Sequence, residues 1–218
     1  MKKLILLLPV LFSCTLPHVD PRPREPDDAT LATVTIESSC SEADPFNTGP
    51  DVLPGHHGPD ISWHASDVGT GVVISENRVL TAAHVVECAI IPTVHVTLSN
   101  GRVLRMNVER DDAMFGAGAD IARLEMASAD TFGLGIAPPA LDGTAGRWCA
   151  LTTHGQVCAN GSGNLMTPDK YDDDRTRSGD SGSGVYNAET GGLVGLVVAG
   201  DGTSTRIVRV GAYWLEGT

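Results

Sequence analysis

Three short segments carry side chains that together can activate a hydroxyl for acyl transfer. The segment TAAH ends at His84, the segment DIARL begins at Asp120, and the segment GDSG contains Ser181. A serine hydroxyl is a poor nucleophile at neutral pH, so a histidine must take its proton as it attacks. A carboxylate fixes the tautomer of that histidine and stabilises the imidazolium. The three segments therefore predict a catalytic triad of His84, Asp120 and Ser181.

Each side chain, taken alone, has a simpler interpretation: a core histidine, an aspartate capping a strand, or a serine in a Gly-rich turn. Asp111 and Asp112 also compete with Asp120, although they lie in a charged stretch with no apolar run behind them. Ser178 and Ser183, close to the GDSG segment, are interpreted as turn serines. The occurrence of all three segments in one order favours the catalytic interpretation.

The surrounding sequence resembles a known family. The order His, Asp, Ser along the chain is that of the chymotrypsin-like arrangement. RVLTAAH at 78–84 is similar to the histidine motif of the trypsin- or chymotrypsin-like serine peptidases, and GTGVVI at 69–74 and GLVVAG at 195–200 resemble strands of that family. The resemblance implies an all-β fold of two six-stranded β-barrels with the active site in the cleft between them. It also implies serine endopeptidase activity on protein or peptide substrates, with no cofactor and no metal.

The resemblance assigns further roles around the nucleophile. It implies that the backbone amides of Gly179 and Ser181 form the oxyanion hole. Glycine at 179 and at 182 allows a tight turn there. By resemblance, Asp180 takes an ion pair that shapes this turn. The usual activation sequence, a basic residue followed by IVGG, is missing. The resemblance to bacterial relatives therefore makes Arg147 the candidate internal cation for Asp180.

Substrate preference rests on one position. In the family, the residue six places before the nucleophile often lies at the base of the S1 pocket, and here it is Arg175. An arginine there suggests an acidic P1 side chain, held by a bidentate pair. Gly200 would leave the mouth of the pocket open, and Arg206 lies where the chain passes the same pocket. The alternative, in which Arg175 pairs on the surface with the acidic residues 172–174, stays open.

Composition limits the classes of protein to consider. The chain has 218 residues, 41% of them hydrophobic, with 25 glycines and 13 prolines, which suits an all-β fold with many turns. Its formal net charge is −12. Nucleic-acid binding is therefore not expected, because phosphate contacts need clustered lysines and arginines.

The N-terminus predicts export. Residues 1–13 begin with two lysines after Met1 and continue with an apolar run that is too short to span a bilayer. The run ends LFSC, which resembles a bacterial lipoprotein signal, in which Cys14 becomes the lipid-modified first residue. Residues 14–30 are rich in proline and charge and read as an extended tether. We expect a lipoprotein of the bacterial cell envelope that is anchored to the membrane through Cys14. Ordinary secretion is the alternative.

Four cysteines remain, Cys40, Cys88, Cys149 and Cys158, and they allow three pairings. The last two bracket a predicted hairpin, and bacterial chymotrypsin-like peptidases carry a similar hairpin. The resemblance therefore favours a Cys149–Cys158 bridge and leaves Cys40 to pair with Cys88. Zinc binding is the alternative, although the chain has no C-x-x-C pair.

Short alternating or apolar runs predict strands separated by turns, and no long helix. The predicted strands are 31–38, 71–75, 79–81, 94–98, 103–108, 121–126, 148–152, 184–187, 193–199 and 206–210. The resemblance divides them between an N-terminal barrel, 31–130, which holds the histidine and aspartate of the triad, and a C-terminal barrel, 131–218, which holds the serine.

Four histidines lie outside the triad segments, the predicted tether and these strands. His56, His57 and His64 fall in a polar insertion at 40–66 and are interpreted as exposed loop residues, metal binding being the alternative. His154 lies near the tip of the hairpin bracketed by cysteines and is interpreted as an exposed turn residue. The sequence as a whole predicts a secreted or lipid-anchored serine endopeptidase. A catalytically silent binding protein on the same scaffold and an esterase-like acyl hydrolase are the alternatives.

Overall fold

The computed structural model describes residues 32–40, 67–87, 92–111, 119–126, 131–135, 139–167, 175–201 and 203–216. These residues form two closed β-barrels of six strands each, so the predicted fold class is confirmed. All strand pairs within the barrels are antiparallel. No helix among these residues has the length and hydrophobicity needed to cross a membrane.

The first barrel has the strand order β1-β2-β3-β6-β5-β4. Its strands are β1 (Thr33–Cys40), β2 (Asp67–Ser75), β3 (Arg78–Thr81), β4 (Pro92–Thr97), β5 (Val103–Asp111) and β6 (Ala122–Met126). Alternation sets the inward face of β1, where Val34 and Ile36 are buried. Gly101, with a φ of 81°, lies in the turn between β4 and β5.

The second barrel has the strand order β10-β11-β12-β9-β8-β7. Its strands are β7 (Gly146–Thr152), β8 (Gly155–Ser162), β9 (Leu165–Thr167), β10 (Gly184–Asn187), β11 (Leu193–Gly200) and β12 (Thr205–Arg209). Strands β8 and β9 are missing from the predicted strands, although the hairpin predicted between Cys149 and Cys158 contains the start of β8. The inward positions of β8 are small because Trp148 fills the space: a Cβ on Gly161 would lie 1.9 Å from Cδ2 of Trp148. A strand whose buried face is Val157, Ala159 and glycine has little hydrophobic periodicity to detect.

A shared hydrophobic cluster joins the barrels. It combines Val72, Ile74 and Leu80 of the first barrel with Leu193 and Leu196 of the second, all of them buried. Burial of several such side chains contributes about 1.5–3 kcal/mol each to the free energy of unfolding. The cluster therefore holds the barrels together at the junction where β2 and β3 lead into the histidine segment.

The C-terminal end of the described chain returns to the first barrel. Arg123 on β6 is buried, and its Nη1 donates hydrogen bonds to the carbonyl oxygens of Trp214, at 3.3 Å, and Glu216, at 3.1 Å. Its Nη2 donates to Glu109 Oε1 at 2.8 Å. One guanidinium thus connects β5, β6 and the segment that follows β12.

Candidate active site

His84 lies in a 3₁₀ turn, Ala83–Val85, that follows strand β3. The amide of Val85 donates to the carbonyl oxygen of Ala82 at 3.1 Å, and the hydroxyl of Ser38 donates to the carbonyl oxygen of Val85 at 2.6 Å. Ala82 and Ala83 are fully buried, whereas the imidazole is 41% exposed. The two alanines anchor the turn in the core and leave the ring at the surface of the barrel.

Asp120 lies two residues before the start of β6, which pairs with β3, and so reaches the same turn. Its Oδ2 is 2.9 Å and its Oδ1 3.1 Å from Nδ1 of His84. The backbone amide of His84 donates a further hydrogen bond to Oδ1 at 3.0 Å. Among the described non-glycine residues, Asp120 is the one with a positive φ, 20°. The carboxylate therefore fixes both the ring and the backbone of His84.

The electrostatics of this pair favour an ionised carboxylate. Burial alone would raise the pKa of Asp120, but the hydrogen bonds from the ring and amide of His84 outweigh it and lower the pKa below its usual 3.8. An ionised carboxylate accepts hydrogen bonds only, so it selects the tautomer with the proton on Nδ1 and leaves Nε2 able to accept one. Of the competing aspartates, Asp111 ends β5 and Asp112 lies outside the described residues.

The GDSG loop of the second barrel is hydrogen-bonded to the first. The amide of Thr70 on β2 donates to the carbonyl oxygen of Ser181 at 2.7 Å, and the Thr70 hydroxyl donates to the carbonyl oxygen of Gly179 at 2.9 Å. On the other side, the amide of Gly182 donates to Val197 of β11 at 2.7 Å. The loop that carries the candidate nucleophile is thus fixed between the barrels.

Two glycines make this close approach possible. Gly182 has a φ of +87°, and a Cβ there would lie 1.9 Å from the carbonyl oxygen of Thr70. A Cβ on Gly69 would lie 2.6 Å from the side chain of Val85 and 3.0 Å from the carbonyl oxygen of Ser181. Because Val85 adjoins His84, the bare backbone at Gly69 brings the serine loop and the histidine turn to the same place.

The candidate oxyanion amides belong to Gly179 and Ser181. Gly179 has a φ of +94°, which few other residues adopt. Within the ranges that the structure describes, no hydrogen bond engages either amide.

Asp180, between these two residues, is 1% exposed. Its Oδ2 accepts a hydrogen bond from the amide of Arg177 at 2.7 Å, and its Oδ1 lies 3.2 Å from Nδ1 of His154. The expectation of Arg147 as the partner is wrong, because Arg147 lies at the far end of β7, opposite Asn160. The interpretation of His154 as a simple exposed turn residue missed this contact, although its side chain is 53% exposed.

The predicted specificity residues lie at the edge of the same region. Arg175 and Arg206 are exposed, and Gly200 ends β11. A Cβ on Gly200 would lie 2.6 Å from the hydroxyl of Thr176, which in turn is 2.8 Å from that of Thr205. The segment containing Arg175 thus runs beside Gly200. The two threonines were not predicted, since no motif marks them.

The predicted bridge between Cys149 and Cys158 is present, linking directly opposed residues of β7 and β8 with a Cα–Cα distance of 4.0 Å. Cys40 ends β1, while Cys88, its predicted partner, lies outside the described residues, as do Cys14 and residues 1–30. The acidic residues 172–174 and the histidines at 56, 57 and 64 also lie outside them. The described residues contain no cluster of three or more metal-ligating side chains.

Two antiparallel barrels, with a histidine–aspartate pair and a Gly-Asp-Ser-Gly loop meeting at their junction, define a protein of the chymotrypsin-like fold. Residues 69–196 match the family model of the trypsin-like peptidase domain. The chain belongs to this family, and it is a peptidase of the hydrolase class. No curated protein matches the sequence.

Solved structures share the fold. The chain is similar to Rv3671c from Mycobacterium tuberculosis H37Rv in the inactive form of a serine-to-alanine mutant, with 19% identity and a TM-score of 0.53 over 88% of this chain and 91% of that one. The active form of the Rv3671c protease gives 19% identity and a TM-score of 0.52 over 84% and 78% of the two chains. At this level of identity the likeness establishes the architecture.

Proposed function

We propose that the protein is a serine endopeptidase in which His84, Asp120 and Ser181 form the catalytic triad. The observation that carries this proposal is the double contact of Asp120 with Nδ1 and the amide of His84, beside a loop that holds Ser181 against β2. Nε2 of His84 accepts the proton of the Ser181 hydroxyl as Oγ attacks the carbonyl carbon of the scissile bond. The same proton then goes to the leaving amine, and water releases the acyl group by the reverse transfer.

The oxyanion of the tetrahedral intermediate is assigned to the amides of Gly179 and Ser181. Both are unengaged by described residues, and charge develops on the oxygen only as the serine attacks. Donors aimed at that charge stabilise the transition state more than the bound substrate. This arrangement supports acyl transfer rather than ligand binding alone.

The test is covalent labelling combined with peptide cleavage. Ser181→Ala should abolish labelling by a fluorophosphonate probe and lower kcat by about 10⁶-fold, the scale of losses in such triads. Ser178→Ala, which removes an exposed serine from the same loop, is the matched control and should keep both activities. A Ser181→Ala protein that still cleaves peptides at the wild-type rate would rule out the proposal.

The same experiment separates the alternatives. A catalytically silent binding protein would give no labelling and no cleavage in the wild type. An esterase-like acyl hydrolase would be labelled and would hydrolyse activated esters, yet would leave every member of a peptide library intact. Labelling together with cleavage of internal peptide bonds is the result that supports the endopeptidase.

For substrate preference we propose that Arg175 selects an acidic P1 side chain. Its support is position: Arg175 is next to Thr176, whose hydroxyl abuts the backbone of Gly200 at the end of β11. A buried P1 carboxylate is costly without a partner, and a guanidinium supplies two parallel donors. An Arg175 that instead pairs in solvent with the acidic residues 172–174 would contribute about 0–1 kcal/mol and no selectivity.

This preference is measured by kcat/KM for peptides with Glu, Leu or Lys at P1. Glu should be best for the wild type, and Arg175→Ala should lower kcat/KM for the Glu peptide by at least about 10-fold, the effect of losing one charged hydrogen bond. The Leu peptide should change little. Equal losses for all three peptides, or a wild-type preference for Lys, would exclude the role of Arg175 and leave the triad untouched.

We also propose that residues 1–13 direct export and that Cys14 carries lipid, with 14–30 as a tether. The support is the short apolar run before LFSC and the disulfide at Cys149–Cys158, which is typical of exported proteins. Mass spectrometry of protein extracted from membranes of the bacterial host should find a lipid-modified Cys14 as the first residue. A mature protein that retains Met1 would contradict the proposal, and cleavage without lipid would indicate secretion.

A further inference from the structure

The carboxylate of Asp180 occupies an unusual environment for a charged group. It is 1% exposed, and it lies between the two residues whose amides are assigned to the oxyanion hole. Among the described residues, two groups reach its oxygens: the amide of Arg177 at Oδ2 and the imidazole of His154 at Oδ1. A buried carboxylate that loses a donor carries a large desolvation cost, so each of these contacts constrains the turn.

The β7–β8 hairpin positions His154 beside Asp180. His154 lies at the tip of the hairpin formed by β7 and β8, which the Cys149–Cys158 bridge closes. The hydroxyl of Thr152 donates to the carbonyl oxygen of Gly155 at 2.8 Å and accepts from the amide of His154 at 3.1 Å. The tip is therefore rigid, and it holds Nδ1 at 3.2 Å from the carboxylate.

The direction of the hydrogen bond follows from the acceptor. Oδ2 of Asp180 accepts from the Arg177 amide, and carboxylate oxygens serve as acceptors, so the hydrogen of the second contact is assigned to Nδ1 of His154. The hydroxyl of Thr153 also lies 3.2 Å from this nitrogen and helps to orient the ring. Other charged groups nearby do not replace this donor, because the side chains of Arg175 and Arg177 are exposed and β2 offers the uncharged Thr70.

The anchoring of the loop determines what a lost donor would change. The carbonyl oxygens of Gly179 and Ser181 are fixed by Thr70 and do not depend on Asp180. Asp180 closes the turn with its backbone and its side chain: its amide donates to the carbonyl oxygen of Arg177 at 3.1 Å, its carbonyl oxygen accepts from the amide of Ser183 at 3.0 Å, and its Oδ2 accepts from the amide of Arg177 at 2.7 Å. Without the His154 donor, the buried carboxylate gains by turning towards water, which breaks its bond to the Arg177 amide and loosens the turn that carries the Gly179 and Ser181 amides. The Ser181 carbonyl stays attached to β2.

We propose that His154 is a positioning residue for the oxyanion hole: its Nδ1–H, donated to buried Asp180, holds the amides of Gly179 and Ser181 towards the intermediate. This inference rests on the proposed serine mechanism. It assigns to the β7–β8 hairpin a task that a cation elsewhere in the chain would otherwise perform. His154 does not touch the substrate and takes no part in proton transfer to or from Ser181.

The test compares His154→Asn with His154→Leu in the full chain. The two replacements are similar in size, but asparagine keeps an N–H near the position of Nδ1 and leucine does not. His154→Leu should lower kcat by about 10²-fold, the scale for one lost oxyanion donor, with KM nearly unchanged. The adduct of a peptide boronic acid places an oxygen in the oxyanion hole, so His154→Leu should weaken the binding of this inhibitor by a similar factor. His154→Asn should recover most of both losses.

Gln156→Ala, an exposed change in the same hairpin, is the control and should behave as the wild type. A His154→Leu protein with wild-type kcat and boronic-acid affinity would overturn the inference, as would an asparagine variant no better than leucine, or a change in KM alone. If His154→Leu does not fold, His154→Ala with the same measurements takes its place against His154→Asn. Failure of the proposed function is distinguishable, because then the wild type itself would neither be labelled by fluorophosphonate nor cleave peptides.

Discussion

At the residue scale, the motifs predicted the contact between His84 and Asp120 but not the partner of Asp180. The segment ending at His84 and the one beginning at Asp120 carry enough local context to be paired from sequence, and the structure brings the two side chains together. The partner of Asp180 was not predictable in the same way. A hairpin tip such as that of His154 is normally exposed, and its contact with Asp180 depends on how the hairpin packs against the serine loop, which no local pattern reports.

The lowered pKa of Asp120 predicts how stability depends on pH. Because the folded pKa is depressed, the contribution of this group is present above the unfolded value and is lost as pH falls through the folded value. The free energy of unfolding of the wild type should therefore fall below about pH 4, and Asp120→Asn should remove part of that slope. Urea unfolding between about pH 2 and pH 6 measures both proteins. If the free energy of unfolding of the two proteins depends on pH with the same slope, the lowered pKa of Asp120 is contradicted.

Ser183 offers a second prediction at this scale. It is fully buried, and its hydroxyl has no hydrogen-bond partner among the residues that the structure describes. A buried polar group without a partner costs about 1–3 kcal/mol, so Ser183→Ala should raise the free energy of unfolding by up to about that amount. Denaturant midpoints of the two proteins give the answer, and a clear loss of stability would indicate that the hydroxyl is bonded in solution.

At the scale of elements, strands with large alternating side chains were predicted, whereas β8, whose buried side chains are small, and β9, which has three residues, were missing from the predicted strands. Val34 and Ile36 mark β1 plainly, whereas the buried positions of β8 include Gly161, which faces Trp148. The small residues of β8 are explained by Trp148 on the neighbouring strand, which fills the space that larger side chains would need. Single-strand periodicity cannot report complementarity of that kind, because it arises only when two strands pair.

The β7–β8 hairpin allows a prediction about its disulfide. Replacing Cys149 and Cys158 together by alanine should lower the free energy of unfolding by about 2–4 kcal/mol, the range for a bridge that closes a short loop. If the hairpin positions His154, the same double variant should lower kcat by a larger factor than it raises KM. Denaturation and steady-state kinetics on one preparation test both effects. Unchanged stability would show that the strand pairing alone holds the hairpin.

At the scale of the whole molecule, the family resemblance predicted the two barrels, but not what fastens their ends. Arg123 lies three residues after Asp120, in the segment that the sequence analysis singled out for its aspartate. Its hydrogen bonds to the carbonyl oxygens of Trp214 and Glu216 form only in the folded protein. Contacts between positions so far apart in the chain leave no local pattern. Such connections must be found in the folded protein.

Arg123→Met is the corresponding prediction. It keeps much of the apolar stem but removes the hydrogen bonds to the C-terminal carbonyls and the ion pair with Glu109. We expect the free energy of unfolding to fall by about 2–3 kcal/mol, the scale for hydrogen bonds to a charged group. Hydrogen exchange should rise first at the amides of 212–216. Unaltered exchange there would show that packing of Trp214 suffices to hold the segment.

The hydrogen bond from the Thr70 amide to the Ser181 carbonyl affects the order in which the site assembles during synthesis and folding. A chain synthesised from its amino end completes the His84–Asp120 pair well before it contains Ser181. When the serine does emerge, its loop still lacks the two hydrogen bonds from Thr70 until β2 of the earlier barrel packs against it. The arrangement of the site is thus completed late, when the two barrels dock, and a chain still being synthesised has the histidine–aspartate pair without the loop that faces it.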